Sequence, residues 1–564
     1  MTVSEYIFDF LARKGLNTVF MVSGSSSMWL TDALYRNQEL QAVCCHHEQA
    51  AVMSADINAR VSRGLGAALV TIGPGATNAI TGVAQAYTDS SSVLVISGQA
   101  SSALLRYEQA TGIRQHGTQS LDLEPVVTPI TKYFAAVMDP ADIRYCLERA
   151  CYEAVNGRRG PVWLDIPVDV QNKQIPADMA GFVPPSEEYD PIDRARIFEL
   201  IKKSRKPLIL AGGGAEQKII TDLSRRLHIP VVTSRMGIGC IQSDDPYYVG
   251  RPGSYGQRAA HFAIQQADLL LVLGCRLSVA TIGYYPKRFA QNAVKIQVDI
   301  DGRELDKPDV PIDIKIRTSA TRFADALRDC PRADSDGWTD HCRELREKYP
   351  VVQPEYRGQD PLNSYYFTQL LTENAPEDAV ITVDTGSVCN VVSQTWHLKK
   401  GQKYLISGGL SCMGFWAGSM GAMAPVIALT GDGSASMNIQ EFATLKHYRL
   451  PVKLFIYKNN GYMLIRHNQH NYMNDRFLGV GPDSGVTMPD FCRVAQAYGL
   501  AWERIQYGDD IPQKIRRVLA AEGPVICEVI TEEFGPLAPR IASRVMPDGS
   551  LKAAEFDDLA PFLD

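Results

Sequence analysis

Two short polar runs carry the most specific chemistry in this chain of 564 residues: Gly431-Asp432-Gly433-Ser434 and Asn459-Asn460-Gly461-Tyr462. Asp432 offers a carboxylate, Asn459 an amide oxygen and the peptide near Gly461 a carbonyl. Three hard oxygens suit Mg²⁺ while leaving coordination positions for phosphate and water. Gly433 permits close backbone approach, and a helix starting near Ser434 aims its amino end at an anion. The two runs, with Met463 beside the second, read as a cradle for a Mg²⁺-bound diphosphate. Taken singly, Gly-Asp-Gly and Asn-Asn are ordinary turns.

The pattern between the runs brings them together. Residues 424–430 are an apolar run of strand length, 435–448 place Met437, Ile439, Phe442 and Leu445 at spacings of two or three in a helix-length stretch, and 452–457 alternate as a second strand. Strand, helix and strand in that order form a right-handed crossover between parallel strands. Both following turns then lie at the carboxyl edge of a sheet, where open α/β sheets hold ligands. Residues 1–180 show the same alternation, with helices over 6–14 and 48–63 and strands at 18–22, 40–45, 66–72 and 92–97. The Gly24-Ser25-Ser26-Ser27 turn precedes another helix. Regular βα alternation predicts an α/β fold with parallel sheets covered by helices on both faces.

Length and composition agree with several such units. A chain this long exceeds one core, and three domains are expected. The stretch 178–193, rich in Pro, Glu and Asp, reads as a linker, and the charged stretch 330–360 with Pro350 and Pro354 as a second one. Between them, strands at 207–211, 229–234, 267–273 and 293–299 mark a nucleotide-fold-like domain, but no full Gly-x-Gly-x-x-Gly opens a helix, which argues against a dehydrogenase. The expected division is 1–180, 190–345 and 360–545, with a tail over 546–564. The net charge of −6 and the lack of a basic stripe argue against nucleic acid. Twelve cysteines without metal-type spacing read as buried thiols in a reducing compartment. With no signal peptide and no apolar run of spanning length, the expectation is a cytoplasmic protein without membrane contact.

A second constellation lies in the first domain: His46-His47-Glu48-Gln49 where a strand enters a helix, followed by Gly73-Pro74-Gly75-Ala76-Thr77-Asn78. By itself, Glu48 is an acidic residue in a helix's first turn, complementing the dipole. Together with Gly-Asp-Gly and Asn-Asn, the set resembles the thiamine diphosphate (ThDP)-dependent acetolactate synthase-like family. The resemblance implies that Glu48 hydrogen-bonds the cofactor's aminopyrimidine, because a carboxyl group in a dry pocket has a raised pKa and can share a proton with a ring nitrogen. It implies cofactor contacts from Gly24, Pro74 and Asn78, and a substrate-channel loop over 111–120 in which Gln119 matches the family glutamine. Thr118 stands where the family has an aromatic residue. His46, His47 and His116 are candidate proton carriers or acceptor contacts, with packed, capping or solvated histidines as the plainer alternative.

In the third domain, Ser407-Gly-Gly-Leu-Ser411-Cys-Met413-Gly resembles the family segment whose methionine wedges between the two cofactor rings; Met413, the carbonyl near Ser411, and Ser387 inherit cofactor roles by that resemblance. Lys458 replaces the first family asparagine, Trp416-Ala-Gly418 replaces Gly-Leu-Pro, and Asp56-Ile-Asn58 replaces Gly-Tyr-Ala. Trp416 is expected to reshape or narrow the substrate pocket. In the central domain, Gly250–Gly256 and Gly274–Ser278 stand where family members contact FAD, while relatives hold ADP or nothing there. The tail's Met-Pro-Asp-Gly and Leu-Ala-Pro-Phe-Leu elements look like those of carboligases that build branched-chain sugars.

The resemblance implies ThDP and Mg²⁺ as cofactors, decarboxylation of a 2-oxo acid such as pyruvate, and ligation of the resulting acyl-anion equivalent to a carbonyl acceptor, either a 2-oxo acid or a keto-sugar. Simple decarboxylation or acetyl transfer is the enzymatic alternative, and a scaffold or regulatory subunit without turnover is the alternative of another class. In this family the first domain of one subunit faces the third domain of another, which implies a homodimer or homotetramer.

Overall fold

The structure, a computed structural model, describes residues 1–545 and 551–563. Three six-stranded, all-parallel sheets are flanked by helices. The first contains β1 (Thr18–Met21), β2 (Gln41–Cys44), β3 (Gly66–Val70), β4 (Val93–Gln99), β5 (Tyr133–Ala136) and β6 (Val162–Pro167), in the order β2-β1-β3-β4-β6-β5. Strands β5 and β6 follow the 111–120 loop, which the sequence pattern placed after the last strand. The second contains β7 (Pro207–Ala211), β8 (Val231–Thr233), β9 (Tyr248–Gly250), β10 (Leu269–Leu273), β11 (Val294–Asp299) and β12 (Ile314–Arg317), in the order β12-β11-β10-β7-β8-β9. Read from β9 inward this is the dinucleotide-fold order, with its switch point between β7 and β10.

The third sheet contains β13 (Val380–Val383), β14 (Lys403–Ile406), β15 (Val426–Gly431), β16 (Val452–Lys458), β17 (Ala501–Ile505) and β18 (Val525–Ile530). Its order, β14-β13-β15-β16-β18-β17, repeats the wiring of the first sheet. Strands buried on both faces read as continuous apolar runs rather than alternations, and β3, β4, β15 and β16 obey this, each entirely or almost entirely buried.

The first and third domains share one core. Helix Glu48–Ser62 lies against the 3₁₀ segment Phe415–Ala422, and Val52, Met53, Ile57, Phe415, Trp416 and Met420 belong to the same buried cluster. Glycine sets the approach: a Cβ on Gly421 would stand 1.8 Å from the Ser54 carbonyl oxygen. Stretch 330–360 is not a linker throughout. Helix Asp336–Lys348 buries Trp338 and Cys342 in the central domain's core, and Trp338 donates to the Pro207 carbonyl at 3.0 Å. Its two apolar anchors are hidden in a charged helix, so composition alone suggested solvent. Residues 172–193 do contain no regular element. The tail forms short antiparallel pairs, Arg540–Ile541 with Leu559–Ala560 among them, and lies on the central domain. Its Met-Pro-Asp-Gly element falls outside the described residues.

Candidate functional site

Adjacent strands β15 and β16 pair Gly431 with Tyr457, so the turns after them leave the sheet side by side. The intervening segment is not the single helix over 435–448 that the pattern predicted. A short helix, Asp432–Ala435, runs into a 3₁₀ stretch kinked at Asn438, and Phe442–Tyr448 completes it. Starting at Asp432 keeps that carboxylate at the turn itself. Asp432 is fully buried, accepts the Gly433 and Gly461 N–H groups at 2.8 and 3.2 Å, and is pushed up to about 6 by burial. Asn459 is 3 % exposed, and its Oδ1 has no hydrogen-bond partner. A buried amide oxygen without a donor costs free energy, which a cation beside Asp432 would offset.

The turns are shaped by glycine. A Cβ on Gly433 would meet the Tyr462 ring at 2.3 Å, and Gly461, at φ +141, lies against the Val480 carbonyl. Arg466 holds this loop by donating to the carbonyls of Asn460 and Val480, both at 3.1 Å, while Glu533 accepts from the Asn460 side chain at 2.6 Å. Lys458 pairs with fully buried Glu528 at 3.0 Å, so the departure from asparagine serves an ion pair. With Arg504 also on Glu528, the Asp490–Cys492–Glu528 group is neutralised by two cations and is not a metal centre. Ser387 opens helix Ser387–Thr395 beside Gly431, and the Ser434 hydroxyl accepts the Gly414 N–H at 2.8 Å. Met463 is 4 % exposed and packs with Tyr356 and Tyr365. Trp416, expected at a substrate pocket, is instead 1 % exposed, edge-on to Phe442, and donates to the Ala435 carbonyl.

Residues predicted in the first domain also converge. Glu48 is 7 % exposed, accepts from the Asn78 amide at 3.0 Å and lies 3.3 Å from where a Gly75 Cβ would stand. Gly75 and Gly24 close on the same Thr71 side chain, and Gly73, at φ +60 before Pro74, faces the backbone of Gln119. Glu108 pins the channel loop by accepting from His116 and Gly117 N–H groups and the Ser120 hydroxyl. His47 caps its helix, accepting the Gln49 N–H on Nδ1 at 3.1 Å; His46 is exposed, and His116 leans on Tyr107.

A direct connection joins this cluster to the third domain. Gln49 donates to the Met413 carbonyl at 3.5 Å, and the His46 N–H donates to Glu441 at 3.0 Å. Glu441 is fully buried and pushed up to about 7 by burial, with Glu48 adding to the rise. Sequence reasoning missed Glu441, Thr71, Arg466 and Asp384. The last is a fully buried carboxylate at the end of β13 that accepts from the Trp416 N–H and the Thr430 hydroxyl. Glu441 and Asp384 act across long sequence separations, and no local motif marks any of the four.

The central domain's glycine turns behave differently. A Cβ on Gly212 would stand 2.1 Å from the Gly274 carbonyl, and Gly214 N–H donates to that carbonyl at 3.0 Å. In the turn after β9, Gly253 N–H donates to His261 Nε2 at 3.0 Å and Ser254 N–H to Ala280 at 3.0 Å. The tail covers it: Phe556 stacks on His261 at 4.2 Å and accepts from its Nδ1–H, and Arg258 donates to Leu559. In these turns the Gly212, Gly214, Gly253 and Ser254 N–H groups are all bonded within the chain.

Comparison with known proteins agrees with the geometry. Thiamine pyrophosphate enzyme domains match in sequence: the N-terminal TPP binding domain over residues 1–126, the central domain over 194–327 and the C-terminal TPP binding domain over 384–529. The chain is 31 % identical to a probable acetolactate synthase large subunit of Methanocaldococcus jannaschii, covering 100 % of this chain and 99 % of that protein. It is 30 % identical to the acetolactate synthase isozyme 2 large subunit of Escherichia coli K12, over 96 % of this chain and 98 % of that protein. The fold and the matching domains define a thiamine diphosphate enzyme. The chain belongs to the acetolactate synthase-like family of these enzymes.

Proposed function

We propose that this enzyme decarboxylates pyruvate and ligates the two-carbon fragment to a second 2-oxo acid, giving an acetolactate-type product. Full-length similarity to acetolactate synthases supports the reaction. The unpartnered Asn459 Oδ1 beside buried Asp432 is the observation that supports a Mg²⁺–diphosphate anchor. When bound, thiamine diphosphate supplies a carbon nucleophile for the keto group and an electron sink for decarboxylation. Asp432, Asn459 and the Gly461 carbonyl would hold the cation. Glu48 would hydrogen-bond the aminopyrimidine ring, with Asn78 orienting the carboxyl by donating to its Oε2. Met413, on a loop between Ser411 and Gly414, would pack against the cofactor.

Each half-site borders exposed apolar surface. Met28, Trp29 and Tyr35 flank Gly24, the last of them 83 % exposed, and Ile465, Tyr472 and Leu478 follow the Gly461 loop. Apolar patches of this kind mark association surfaces, which supports a homodimer, although Gln49 and His46 already reach the third domain within one chain. Twelve unpaired cysteines support a reducing, cytoplasmic setting; among the described residues no helix is long and apolar enough to cross a membrane. The central-domain turns support a flavin-free protein, and absorbance near the flavin bands in the purified enzyme would contradict that.

The test is incubation with pyruvate, ThDP and Mg²⁺. The expected outcome is CO₂ release with a carbon–carbon-coupled product. Aldehyde alone would indicate a simple decarboxylase, no CO₂ a scaffold, and coupling only after a keto-sugar is added a different acceptor.

A further inference from the structure

A cavity of about 740 Å³ lies between the central and third domains, bordered by Arg251, Arg346, Arg357, Thr372, Thr395 and Lys399. None of the residues proposed to hold the cofactor lines it. Helix Ser387–Thr395 separates the two places: Ser387 stands at its amino end and Thr395 at its carboxyl end, eight residues later, a span of about 12 Å.

Three features indicate a ligand. The first is charge, since four cationic side chains line the cavity against one carboxylate, Glu373. The carbonyls of the nearby helix end are already committed: Arg251 donates to Ser393 and Trp396, both at 2.8 Å, and Gln257 to Gln394. The positive charge therefore exceeds what the helix end uses.

The second feature is unspent hydrogen-bonding capacity. Arg251 and Thr372 are each 4 % exposed. Arg251 Nε, Thr372 Oγ1 and Thr395 Oγ1 are buried without partners. All three belong to residues that border the cavity, and a polar ligand there would give them partners once the side chains turn toward it.

The third is support. Arg346 is held by the Ser243 and Tyr248 carbonyls at 2.6 and 3.3 Å, and its guanidinium lies 5.2 Å from the Tyr248 ring, with Arg251 at 5.6 Å from the same ring. Lys399 is oriented by the carbonyls of Glu373 and Ala375. Arg357 is exposed and has no partner among the described residues, so it is free to close over a bound group. Pre-oriented cations of this kind recognise phosphate and carboxylate groups.

We propose that this interdomain cavity binds a small polyanion carrying phosphate or carboxylate groups, with Arg357 and Lys399 contacting its charge and Thr372 and Thr395 its polar oxygens. The site is independent of the thiamine diphosphate site and does not rest on the reaction assigned to it.

Holoenzyme saturated with ThDP and Mg²⁺ keeps the diphosphate cradle filled, so binding elsewhere is read directly. Inorganic phosphate, adenosine monophosphate and tricarballylate are titrated separately by calorimetry, which separates phosphate from carboxylate recognition. At least one should bind saturably with Kd below about 1 mM. Arg357→Ala and Lys399→Ala should each weaken it at least about 10-fold, and the near-isosteric Thr372→Val about 3-fold, with unchanged ThDP affinity. No saturable binding of any probe up to about 10 mM, or binding that survives both cation deletions, would overturn the assignment. A thermal midpoint within about 2 °C of the parent for Arg357→Ala shows that the exposed side chain can be removed without unfolding the protein.

Discussion

The turns of the third domain and those of the central domain look alike as sequence and differ as chemistry. Both put glycines just past the carboxyl ends of parallel strands, where ligands gather. After β15 and β16, the glycines clear space around a buried carboxylate and leave the Asn459 oxygen without a partner. After β7, β9 and β10, they let one backbone pack on another, and His261, Ala280 and the tail take up the turn's polar groups. Glycine at such an edge marks a close approach. Whether the approaching group is a ligand or the protein itself is decided by which polar atoms remain unsatisfied.

That contrast fails if the polar residues assigned to the thiamine diphosphate site prove dispensable. Glu48→Gln keeps a hydrogen-bonding group toward Asn78 but removes the transferable proton. Turnover of pyruvate should fall at least about 100-fold, with the ThDP dissociation constant within about 5-fold of the parent. Undiminished turnover removes the assigned role. Asn459→Ala deletes the unpartnered oxygen and should weaken Mg²⁺-dependent ThDP binding about 10-fold, while the thermal midpoint of the cofactor-free protein stays level or rises. A loss of apo stability would mean the oxygen already has a protein partner.

Glycine substitutions sharpen the comparison from both sides. Gly253→Ala places a Cβ 2.5 Å from the Ala280 carbonyl at φ +142, and it should cost about 1–3 kcal/mol of stability. Denaturant midpoints measure that loss, and cofactor affinity should not change. Gly433→Ala meets a movable Tyr462 ring instead, so it should cost less stability and more cofactor affinity. Equal effects on ThDP binding from the two substitutions would erase the distinction.

The smallest expected effect concerns Glu441, at the junction of the first and third domains. Burial raises its carboxyl from 4.5 to about 7, so the neutral form is favoured in the folded protein. Its contribution is complete below about pH 4.5 and is lost as pH rises through 7. Glu441→Gln should flatten the fall in stability between pH 5.5 and 8 by about 2 kcal/mol. An unchanged pH profile from denaturant titrations would place the titration elsewhere.

Much of this was legible from local pattern. Continuous apolar runs located β1 to β4, β15 and β16 to within a few residues, since strands buried on both faces need little else, but β5, β6, β14, β17 and β18 were not anticipated. Glu48, Asn78, Asp432 and Asn459 stood out because their chemistry is concentrated at turns following such runs. Helix Asp336–Lys348 was hidden because two buried residues among many charges do not form a visible stripe. The surroundings of Trp416 were not legible because its burial depends on Phe442 and on helix Glu48–Ser62, partners far away in sequence. Glu441 was invisible for the same reason: its partner is a backbone atom of a remote loop. Arg466 grips backbone carbonyls of its own neighbourhood, and no side-chain motif marks such a contact. The central domain was the least legible, because glycine spacing reports shape and says nothing about which donors are already used.

Titration calorimetry of ThDP into the parent and Asp432→Ala proteins, with and without Mg²⁺, tests the anchor most directly. The parent should bind tightly only with Mg²⁺, and Asp432→Ala should lose at least about 100-fold in affinity with the metal present. Equal affinity in the two proteins, or tight binding by the parent without metal, would contradict the account.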